Sequence, residues 1–339
     1  MRSDVAVSVR HDPRVAINRR DGRHYAFPGF VVNARGEFLV AYRDADDHYV
    51  RASEVDQRDR GVIRLQRSTD GGKTWGPPIV IQDDGIDDSR DPALALLANG
   101  DIVLSYFIYA GEIVSSFVRM SSDHGATWGP ASEVAHGFAV GSAVCAPVVE
   151  LPGGDLLIPL FGRFRGEADI SSTVSRSVDG GASWSHLATI ATGGGMQWTE
   201  PNLVVLSTGS VLCLIRQNAT PRSIYVSTSD DAGVSWSDPA PVFEGNGRPA
   251  IIEPEEGCLV TMYRSPSGQT VCRVSVTQGR TWGHEILVDD TGVYDYAQMA
   301  RSPEGPIYCA YAVELSRSES NVFMKRLELS RASEVSDVT

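Results

Sequence analysis

Residues 68–75 read STDGGKTW, and their pattern Ser-x-Asp-x-Gly-x-x-Trp returns three more times along the chain. The other copies are SSDHGATW at 121–128, SVDGGASW at 177–184 and SDDAGVSW at 229–236. A worn fifth copy, SVTQGRTW at 275–282, carries Thr277 where the others carry an aspartate. A motif that recurs about every 50 residues indicates one supersecondary unit per copy, stacked into a repeat architecture. We refer to this octet as the Asp box.

A second repeat consists of an apolar run, a polar turn with glycine and another apolar run, which is typical of a β-hairpin. Six segments fit this description: NARGEFLVAYR, LANGDIVLSYF, LPGGDLLIPLF, LSTGSVLCLIR, EPEEGCLVTMYR and SPEGPIYCAYA. Their turn glycines are Gly36, Gly100, Gly154, Gly209, Gly257 and Gly305. Each of the first five hairpins is followed by one copy of the Asp box. Six hairpins predict six units of about 50 residues each.

Long amphipathic helical patterns are absent, so the chain is predicted to be all-β. Four-stranded units repeated radially build a β-propeller, which exposes only short sheet edges. We therefore predict a six-bladed β-propeller with Asp-box repeats that occupies residues 1–339 as a single domain. The N-terminal run DVAVSVR is expected to pair with the last unit and close the ring. The Asp box is interpreted as structural, because its Asp can bind turn amides and its Gly permits a positive φ.

The charge of the chain limits its partners. It has 43 acidic and 30 basic residues and a formal net charge of −13, and such a surface repels nucleic-acid phosphates. We expect no nucleic-acid partner, whereas a small anionic substrate is compatible where arginines cluster. No run of about 18 apolar residues and no apolar signal-peptide core appear. A soluble protein without a membrane span is expected, either cytoplasmic or secreted with its signal removed.

The five cysteines are odd in number and form no CxxC pair, so they are interpreted as small buried apolar residues. The sequence contains no HExxH, no P-loop and no GxGxxG ahead of a helix. Its seven histidines are scattered along the chain. Neither a metal site nor a required cofactor is therefore expected.

Aligning the six hairpins on their glycines predicts which residues meet at the mouth of the axial channel. A proline, tolerated at the first residue of a strand, precedes most of these hairpins, and the column just before it should lie at the mouth. That column contains Phe27, Asp91, Ala146, Glu200, Arg248 and Tyr296. Seven residues after each glycine, the returning strand contributes Arg43, Phe107, Phe161, Arg216, Arg264 and Ala312. The planar guanidinium group of arginine can donate two parallel hydrogen bonds to a carboxylate. The arginines among these residues therefore predict a clamp for an acidic ligand.

These residue types favour nucleophilic catalysis. A tyrosine hydroxyl has a pKa near 10 and is a poor nucleophile alone, but an adjacent carboxylate can accept its proton. Glu200 and Tyr296 share a column in units 4 and 6, which predicts such a pair. A general acid is also needed, and the acid-rich insertion after the first hairpin supplies candidates. These candidates are Asp44, Asp47, Asp56 and Asp59.

Together these motifs resemble the sialidase superfamily over essentially the whole chain. In that family a Glu precedes an arginine of the carboxylate-binding triad in the form EP…G…R, as Glu200 and Arg216 do here. The resemblance implies that Tyr296 is the nucleophile, with Tyr294 as the second choice. It also implies that Asp56, nearest the expected distance from the first Asp box, is the acid/base residue. Asp91, in RDPAL, resembles a residue that lines the substrate site.

The chain departs from the family pattern in its first unit. Sialidases have a Tyr/Phe-Arg-Ile-Pro motif there, whereas residues 25–28 read YAFP, with Ala26 in place of the arginine. Arg43 is a possible substitute from the neighbouring strand. Three residues compete for the role of the triad arginine of the fifth unit, namely Arg248, Arg264 and Arg273.

The sequence thus predicts a sialidase-like glycoside hydrolase that cleaves a terminal acidic sugar with a Tyr/Glu pair and an arginine clamp. One alternative is a polysaccharide lyase acting on uronic acids, in which His24 and His48 would take part and an ultraviolet-absorbing unsaturated product would form. The other is a carbohydrate-binding propeller without catalysis, which would bind its ligand without turnover.

Overall fold

The computed structural model describes residues 7–18, 21–48 and 60–331. Within these ranges every helix or strand segment is a β-strand, and the 26 strands form five sheets. The described chain contains no helix long and apolar enough to cross a membrane. The all-β, propeller-like architecture predicted from the sequence is confirmed.

Four of the sheets are units of four or five strands, taken from consecutive stretches of sequence. The first contains β7 (Asp88–Leu96), β8 (Ile102–Tyr109), β9 (Ile113–Ser121) and β10 (Ser132–Glu133). The next contains β11 (Val140–Ala143), β12 (Val149–Glu150), β13 (Leu156–Arg163), β14 (Ser171–Ser177) and β15 (Ser185–Ala191). The third contains β16 (Trp198–Val205), β17 (Val211–Gln217), β18 (Ser223–Ser229) and β19 (Ala240–Glu244). The fourth contains β20 (Asn246–Glu255), β21 (Cys258–Arg264), β22 (Thr270–Ser275) and β23 (Ile286–Asp289).

The remaining sheet has nine strands and joins the two ends of the chain. Its N-terminal strands are β1 (Val7–His11), β2 (Val15–Ala16), β3 (His24–Val32), β4 (Phe38–Ala45), β5 (Val62–Ser68) and β6 (Ile79–Gln82). Its C-terminal strands are β24 (Val293–Arg301), β25 (Ile307–Ser316) and β26 (Glu319–Arg331). Strands β3 to β6 join the C-terminal group through one parallel pair, Ser320 with His24, whereas β1 and β2 both pair with β26 itself. Strand β1 pairs antiparallel with β26, which confirms the predicted pairing for the part of that run from Val7 onward.

The hydrophobic core lies between the sheets. Each sheet packs on its neighbour in chain order, β3 on β7, β9 on β11, β13 on β16, β16 on β20 and β20 on β24, and β24 packs on β3. The core of the described residues divides into six clusters. One of these clusters packs Phe30 and Tyr42 against Ala310 and Met324, and so lies between the two halves of the nine-stranded sheet.

Hydrogen bonds and close backbone contact tie the inner strands around the axis. Gln298 on β24 donates from Nε2 to the Phe30 carbonyl at 2.9 Å and accepts from the Leu94 amide at 3.2 Å. A Cβ at Gly29 would lie 2.8 Å from the Ala93 Cα atom. Only glycine therefore allows β3 to approach β7 this closely.

The Asp boxes are turn-forming structures, as their composition predicts. The Asp70 carboxylate accepts from the amides of Lys73 and Thr74 at 3.0 and 2.9 Å, and from the Thr74 hydroxyl at 2.6 Å. Hydroxyl and amide bonds of this kind recur at the other three aspartates. In the worn copy, Thr277 Oγ1 accepts from the Thr281 amide at 2.9 Å. All five cysteines are buried, which confirms their predicted role as core residues.

We expect Gly29→Ala to lower the free energy of unfolding by about 3 kcal/mol, because the new methyl group meets backbone atoms that have no room to move. The matched control is Gly153→Ala, where the added Cβ meets nothing within 4 Å, and it should change stability by less than about 0.5 kcal/mol. Urea denaturation measures both values. Equal effects would contradict the close approach of β3 and β7.

We expect Thr277→Asp to raise the melting temperature by roughly 1–3 °C at pH 7. Hydrogen bonds from the Ser235 hydroxyl and amide lower the pKa of Asp231 to about 2 from an ordinary 3.8, and an aspartate at 277 should be held in the same way. A lowered pKa in the folded state stabilises above the unfolded value, so the gain should be full above pH 4 and vanish near pH 2. Val276→Asp, which adds the same charge outside the cap, should give no such gain in calorimetry.

Candidate active site

Four inner strands bend at the position that the hairpin alignment predicts. The residues at the bend are Phe27 (φ 55°), Asp91 (φ 50°), Glu200 (φ 53°) and Tyr296 (φ 62°). The antiparallel register of each strand shifts at this point. A left-handed conformation in a non-glycine residue costs on the order of 1–3 kcal/mol and persists only where surrounding structure enforces it. The shared strain shows that this column is one structural feature.

The bends bring Tyr296 and Glu200 into direct contact, as the sequence predicted. The Tyr296 hydroxyl donates to Glu200 Oε1 at 2.5 Å, and Arg216 Nη1 donates to the same oxygen at 2.5 Å. Arg216 Nη2 also donates to Asn218 Oδ1 at 2.9 Å. Among the described residues, Glu200 Oε2 and Arg216 Nε have no hydrogen-bond partner. Buried polar groups are normally paired, so these two atoms mark places where a ligand could bind.

Burial and charge hold Tyr296 in its neutral form. Burial, followed by the carboxylates of Glu200 and Asp91, raises the pKa of Tyr296 well above its usual 10. The fully buried Arg248 donates from Nη2 to the Ala297 carbonyl at 2.6 Å, and its guanidinium carbon lies 5.0 Å from the Tyr296 ring centroid. A neutral tyrosine can act as a nucleophile only if a base takes its proton, and Glu200 Oε1 already accepts a hydrogen bond from the Tyr296 hydroxyl.

Arg90 lies beside two residues of this candidate site and was missed by the sequence reasoning. Its guanidinium carbon lies 5.2 Å from the centroid of the Phe27 ring, and its Nε lies 3.8 Å from Asp91 Oδ1. The Phe27 ring in turn lies 5.2 Å from that of Tyr296. Arg90 occupies the same position before the bend in its strand as Ala26 does in β3. A search of that second column for ionisable residues would have found it.

The other predicted arginines occupy different surroundings. Arg43 is fully buried and makes two hydrogen bonds to Asp88, from Nε to Oδ1 at 2.8 Å and from Nη2 to Oδ2 at 2.7 Å. Its Nη1 donates to the Asp47 carbonyl at 2.9 Å. Arg264 is half-buried at the end of β21, opposite Asn246. Arg273 donates to the Tyr263 hydroxyl at 2.6 Å.

The acid candidates divide between described and undescribed residues. Asp44 is buried and accepts from Arg23 Nε at 2.6 Å and from Arg64. The half-buried Asp47 accepts from Arg317 Nε at 2.8 Å. Asp56 and Asp59 lie outside the described residues, as does the side chain of Tyr294.

One group of side chains near this site could hold a metal ion. His24, His48 and Glu314 place one ligand atom each within 4.8 Å of one another. Burial, with the charges of Arg43 and other neighbours, lowers the pKa of His24 to about 2. The His24 ring is therefore neutral at physiological pH. Sequence reasoning named His24 and His48 only as candidate residues of a lyase and did not group them with Glu314, which lies near the opposite end of the chain.

We expect Asp88→Asn to cost about 3–5 kcal/mol of unfolding free energy, because it leaves the buried charge of Arg43 without its counter-charge. The control is Asp83→Asn, since Asp83 accepts from Arg60 in the same two-bond geometry at 3.0 and 3.2 Å but at an exposed position. That change should cost less than about 1 kcal/mol. Both variants are unfolded in urea. Similar unfolding midpoints for Asp88→Asn and Asp83→Asn would mean that the Arg43–Asp88 pair is not a buried structural pair.

Known proteins with similar sequences and structures agree with this architecture. The family model of BNR repeat-like domains matches residues 36–246, more than half of the chain. A sialidase of Micromonospora viridifaciens is 24% identical over 335 residues, an alignment that covers 86% of this chain and 50% of that protein. The chain thus spans about half the length of this curated relative.

Two solved structures have the same fold. A protein of unknown function from Dyadobacter fermentans superposes with a TM-score of 0.84 at 20% identity, covering 95% of this chain and 99% of the other. The intramolecular trans-sialidase of Ruminococcus gnavus, in complex with oseltamivir carboxylate, gives a TM-score of 0.70 at 15% identity, covering 94% and 97%. At these identities the likeness concerns the fold alone. The match to the family model shows that the chain belongs to the family of BNR repeat-like domains, within the sialidase superfamily.

Proposed function

We propose that the protein is a glycoside hydrolase that releases a terminal, carboxylated sugar, with Tyr296 as nucleophile and Glu200 as its base. The observation that carries this proposal is the shared oxygen of Glu200, which accepts from both the Tyr296 hydroxyl and Arg216. A tyrosine is neutral until it reacts, so it does not repel an acidic substrate as an aspartate or glutamate nucleophile would. The similarity to a known sialidase supports the same reaction class.

The proposed enzyme is a six-bladed propeller in one domain. In the nine-stranded sheet, the half formed by β3 to β6 is joined to the half formed by β24 to β26 by a single parallel pair, and a hydrophobic cluster lies between the two halves. Two halves that pack face to face in this way act as separate blades. Counted so, the five sheets correspond to six blades, in agreement with the six hydrophobic clusters.

In the proposed reaction, the Tyr296 oxygen forms a bond to the anomeric carbon while its proton passes to Glu200. The glycosidic bond breaks, and the leaving oxygen takes a proton from a general acid, for which Asp56 remains our candidate. Water then attacks the anomeric carbon of the glycosyl-enzyme and gives a proton to the carboxylate of that general acid, which restores it. The bond between the Tyr296 oxygen and the anomeric carbon breaks, and the tyrosine oxygen regains its proton from Glu200. Glu200 and Tyr296 are buried. Burial strengthens the electrostatic interactions that stabilise the charges formed on these residues and on the substrate during the reaction.

The proposed carboxylate clamp contains Arg216 and Arg248, which flank the Glu200–Tyr296 pair. Arg90 is added because it lies beside Phe27 and Asp91. Asp91 is proposed to line the substrate site, since its charge acts on Tyr296. Arg43 is assigned to the ion pair with Asp88 rather than to the clamp. Arg264, half-buried at the end of β21, is kept as a further candidate for the clamp.

A second candidate function is binding of an acidic carbohydrate without turnover. The observation in its favour is the first blade, where Ala26 offers no cation and the fork of Arg43 is bound to Asp88. A clamp that is weakened there would hold a ligand less firmly, and catalysis depends on precise positioning more than binding does.

The first experiment is hydrolysis of 4-methylumbelliferyl N-acetylneuraminic acid by the wild type and by Tyr296→Phe. We expect the variant to lose turnover by about 10³-fold or more, because it lacks only the attacking oxygen. Glu200→Gln should lose about 10²–10⁴-fold, the usual contribution of a general base. Tyr263→Phe is the matched control, since the Tyr263 hydroxyl donates to Glu285 at 2.9 Å outside the site, and it should retain full activity.

Three other outcomes would change the assignment. Full activity in folded Tyr296→Phe would exclude the tyrosine as nucleophile. Saturable binding of the sugar without release of methylumbelliferone would favour the binding function. An inactive wild type should next be given uronic-acid glycans, where an unsaturated, ultraviolet-absorbing product would indicate a lyase and free sugar a hydrolase of different specificity.

A further inference from the structure

The junction between β26 and β3 carries a cluster of metal-ligating side chains. It contains His24 on β3, His48 shortly after β4, and Glu314 on β25. Glu314 Oε1 lies 3.5 Å from His48 Nδ1 and 3.9 Å from His24 Nε2. We propose that this cluster binds a divalent transition-metal ion of the Zn²⁺ class through three protein ligands. The site is separate from the Tyr296–Glu200 pair and does not depend on the proposed hydrolase function.

The state of His24 is the main argument for a ligand. Its side chain is completely buried, and neither ring nitrogen has a hydrogen-bond partner within the described ranges. Buried polar atoms are nearly always bonded, and the 3.9 Å separation from Glu314 is too long for a hydrogen bond. A cation between His24 and Glu314 would give the buried His24 ring a partner.

The donor set and its spacing fit zinc. Two imidazoles and one carboxylate are common zinc ligands. Tetrahedral bonds of about 2.0–2.1 Å place ligand atoms roughly 3.4 Å apart. The separation of His48 and Glu314 already has this value. His24 needs to approach by about half an ångström or more, a shift within reach of a side-chain rotation.

The backbone on both sides of the cluster is held in place without an ion. The His48 amide donates to the Arg317 carbonyl at 3.0 Å, and the Ser320 amide donates to the Arg23 carbonyl at 3.3 Å. His24 itself forms the single parallel pair with Ser320. An ion at this point would therefore join the first and last parts of the described chain where the ring closes.

Nearby charges do not exclude a cation. The positive charges of Arg43 and Arg90 are close enough to His24 to disfavour a second positive charge on its ring. The Asp88 carboxylate accepts two hydrogen bonds from Arg43 and lies 3.8 Å from Arg90, so it offsets these arginines. Glu314 would place its negative charge directly on the ion.

The geometry leaves room for a further ligand. The side chains of His48 and Glu314 are 17% and 22% exposed, so water can reach the ion on that side. Three protein ligands with an open position are typical of zinc sites that bind water or substrate. The Phe27 ring lies 5.5 Å from His48 and 5.2 Å from Tyr296. Only one aromatic ring thus separates the proposed ion from the Tyr296 site.

The test measures zinc on the full chain after treatment with a chelator and reloading with Zn²⁺. Metal content is determined by mass spectrometry and affinity by calorimetric titration. The variants are His48→Ala and Glu314→Gln. Both change partly exposed ligands, whereas His24 is left unchanged because it is completely buried. The matched control is His186→Ala, which removes an exposed histidine outside the cluster.

We expect one equivalent of Zn²⁺ on the wild type and on His186→Ala. Loss of one of the three ligands should weaken Zn²⁺ binding by on the order of 100-fold or more. This is more than the loss expected for a residue that only hydrogen-bonds to a ligand. Saturating Zn²⁺ should raise the melting temperature of the wild type and the control, but not of the two ligand variants. Cobalt substitution should give visible absorption bands in the wild type that Glu314→Gln alters.

The proposal is overturned if the wild type retains no zinc at micromolar free Zn²⁺, or if both ligand variants bind it as tightly as the wild type. An equal loss in His186→Ala would mean binding by scattered surface histidines, and would also overturn it. Circular dichroism of each variant separates loss of the site from loss of the fold.

Discussion

The candidate site depends on a bend in the backbone at the start of the inner strands. Phe27, Asp91, Glu200 and Tyr296 all adopt φ between 50° and 62° there, a conformation that bulky residues avoid. The strain is sustained by the hydrophobic clusters between the sheets, by Gln298, and by the close approach of β3 to β7 at Gly29. Each bend ends the regular pleat just before the strand core and directs a functional side chain toward its neighbours. Tyr296 on β24 and Glu200 on β16 belong to two separate sheets, and the bends bring their side chains together.

Much of this arrangement could be predicted from the sequence, because the propeller repeats itself. Turn glycines and the prolines that open the strands fix the register of each hairpin, so residues of one column come to one place. That register places Tyr296 and Glu200 at the same end of their strands, where the structure has them in contact. The repeats did not predict that the first and last units share one sheet. They do so because Ser320 on β26 pairs with His24 on β3. That pair depends on how the chain ends meet, which no repeat encodes.

Register predicts where a residue lies but not which partner its side chain takes. Arg43 and Arg216 occupy the same position in their hairpins, yet Arg43 binds Asp88 and Arg216 binds Glu200. The difference comes from the adjoining strand, because Asp88 opens β7 beside β4, three residues before the bend at Asp91. The long side chain of arginine can pair within its own sheet, as Arg216 does with Glu200, or with a carboxylate of the next sheet, as Arg43 does with Asp88. The cluster of His24 with Glu314 has the same origin, in a contact between blades that are distant in sequence.

Tyr296 and Arg216 compete as hydrogen-bond donors to Glu200 Oε1. In the proposed reaction, this competition lets the charge of the substrate influence the activation of the Tyr296 nucleophile. In the described structure one oxygen accepts from both Tyr296 and Arg216, and Arg216 Nε lacks a partner. A substrate carboxylate is a strong, bidentate acceptor for that guanidinium. When it draws Arg216 toward itself, Glu200 Oε1 is left to the tyrosine proton alone. A neutral sugar cannot compete for Arg216 in this way, so the same hydrogen bonds that hold the resting site together would favour reaction with an acidic substrate over a neutral one.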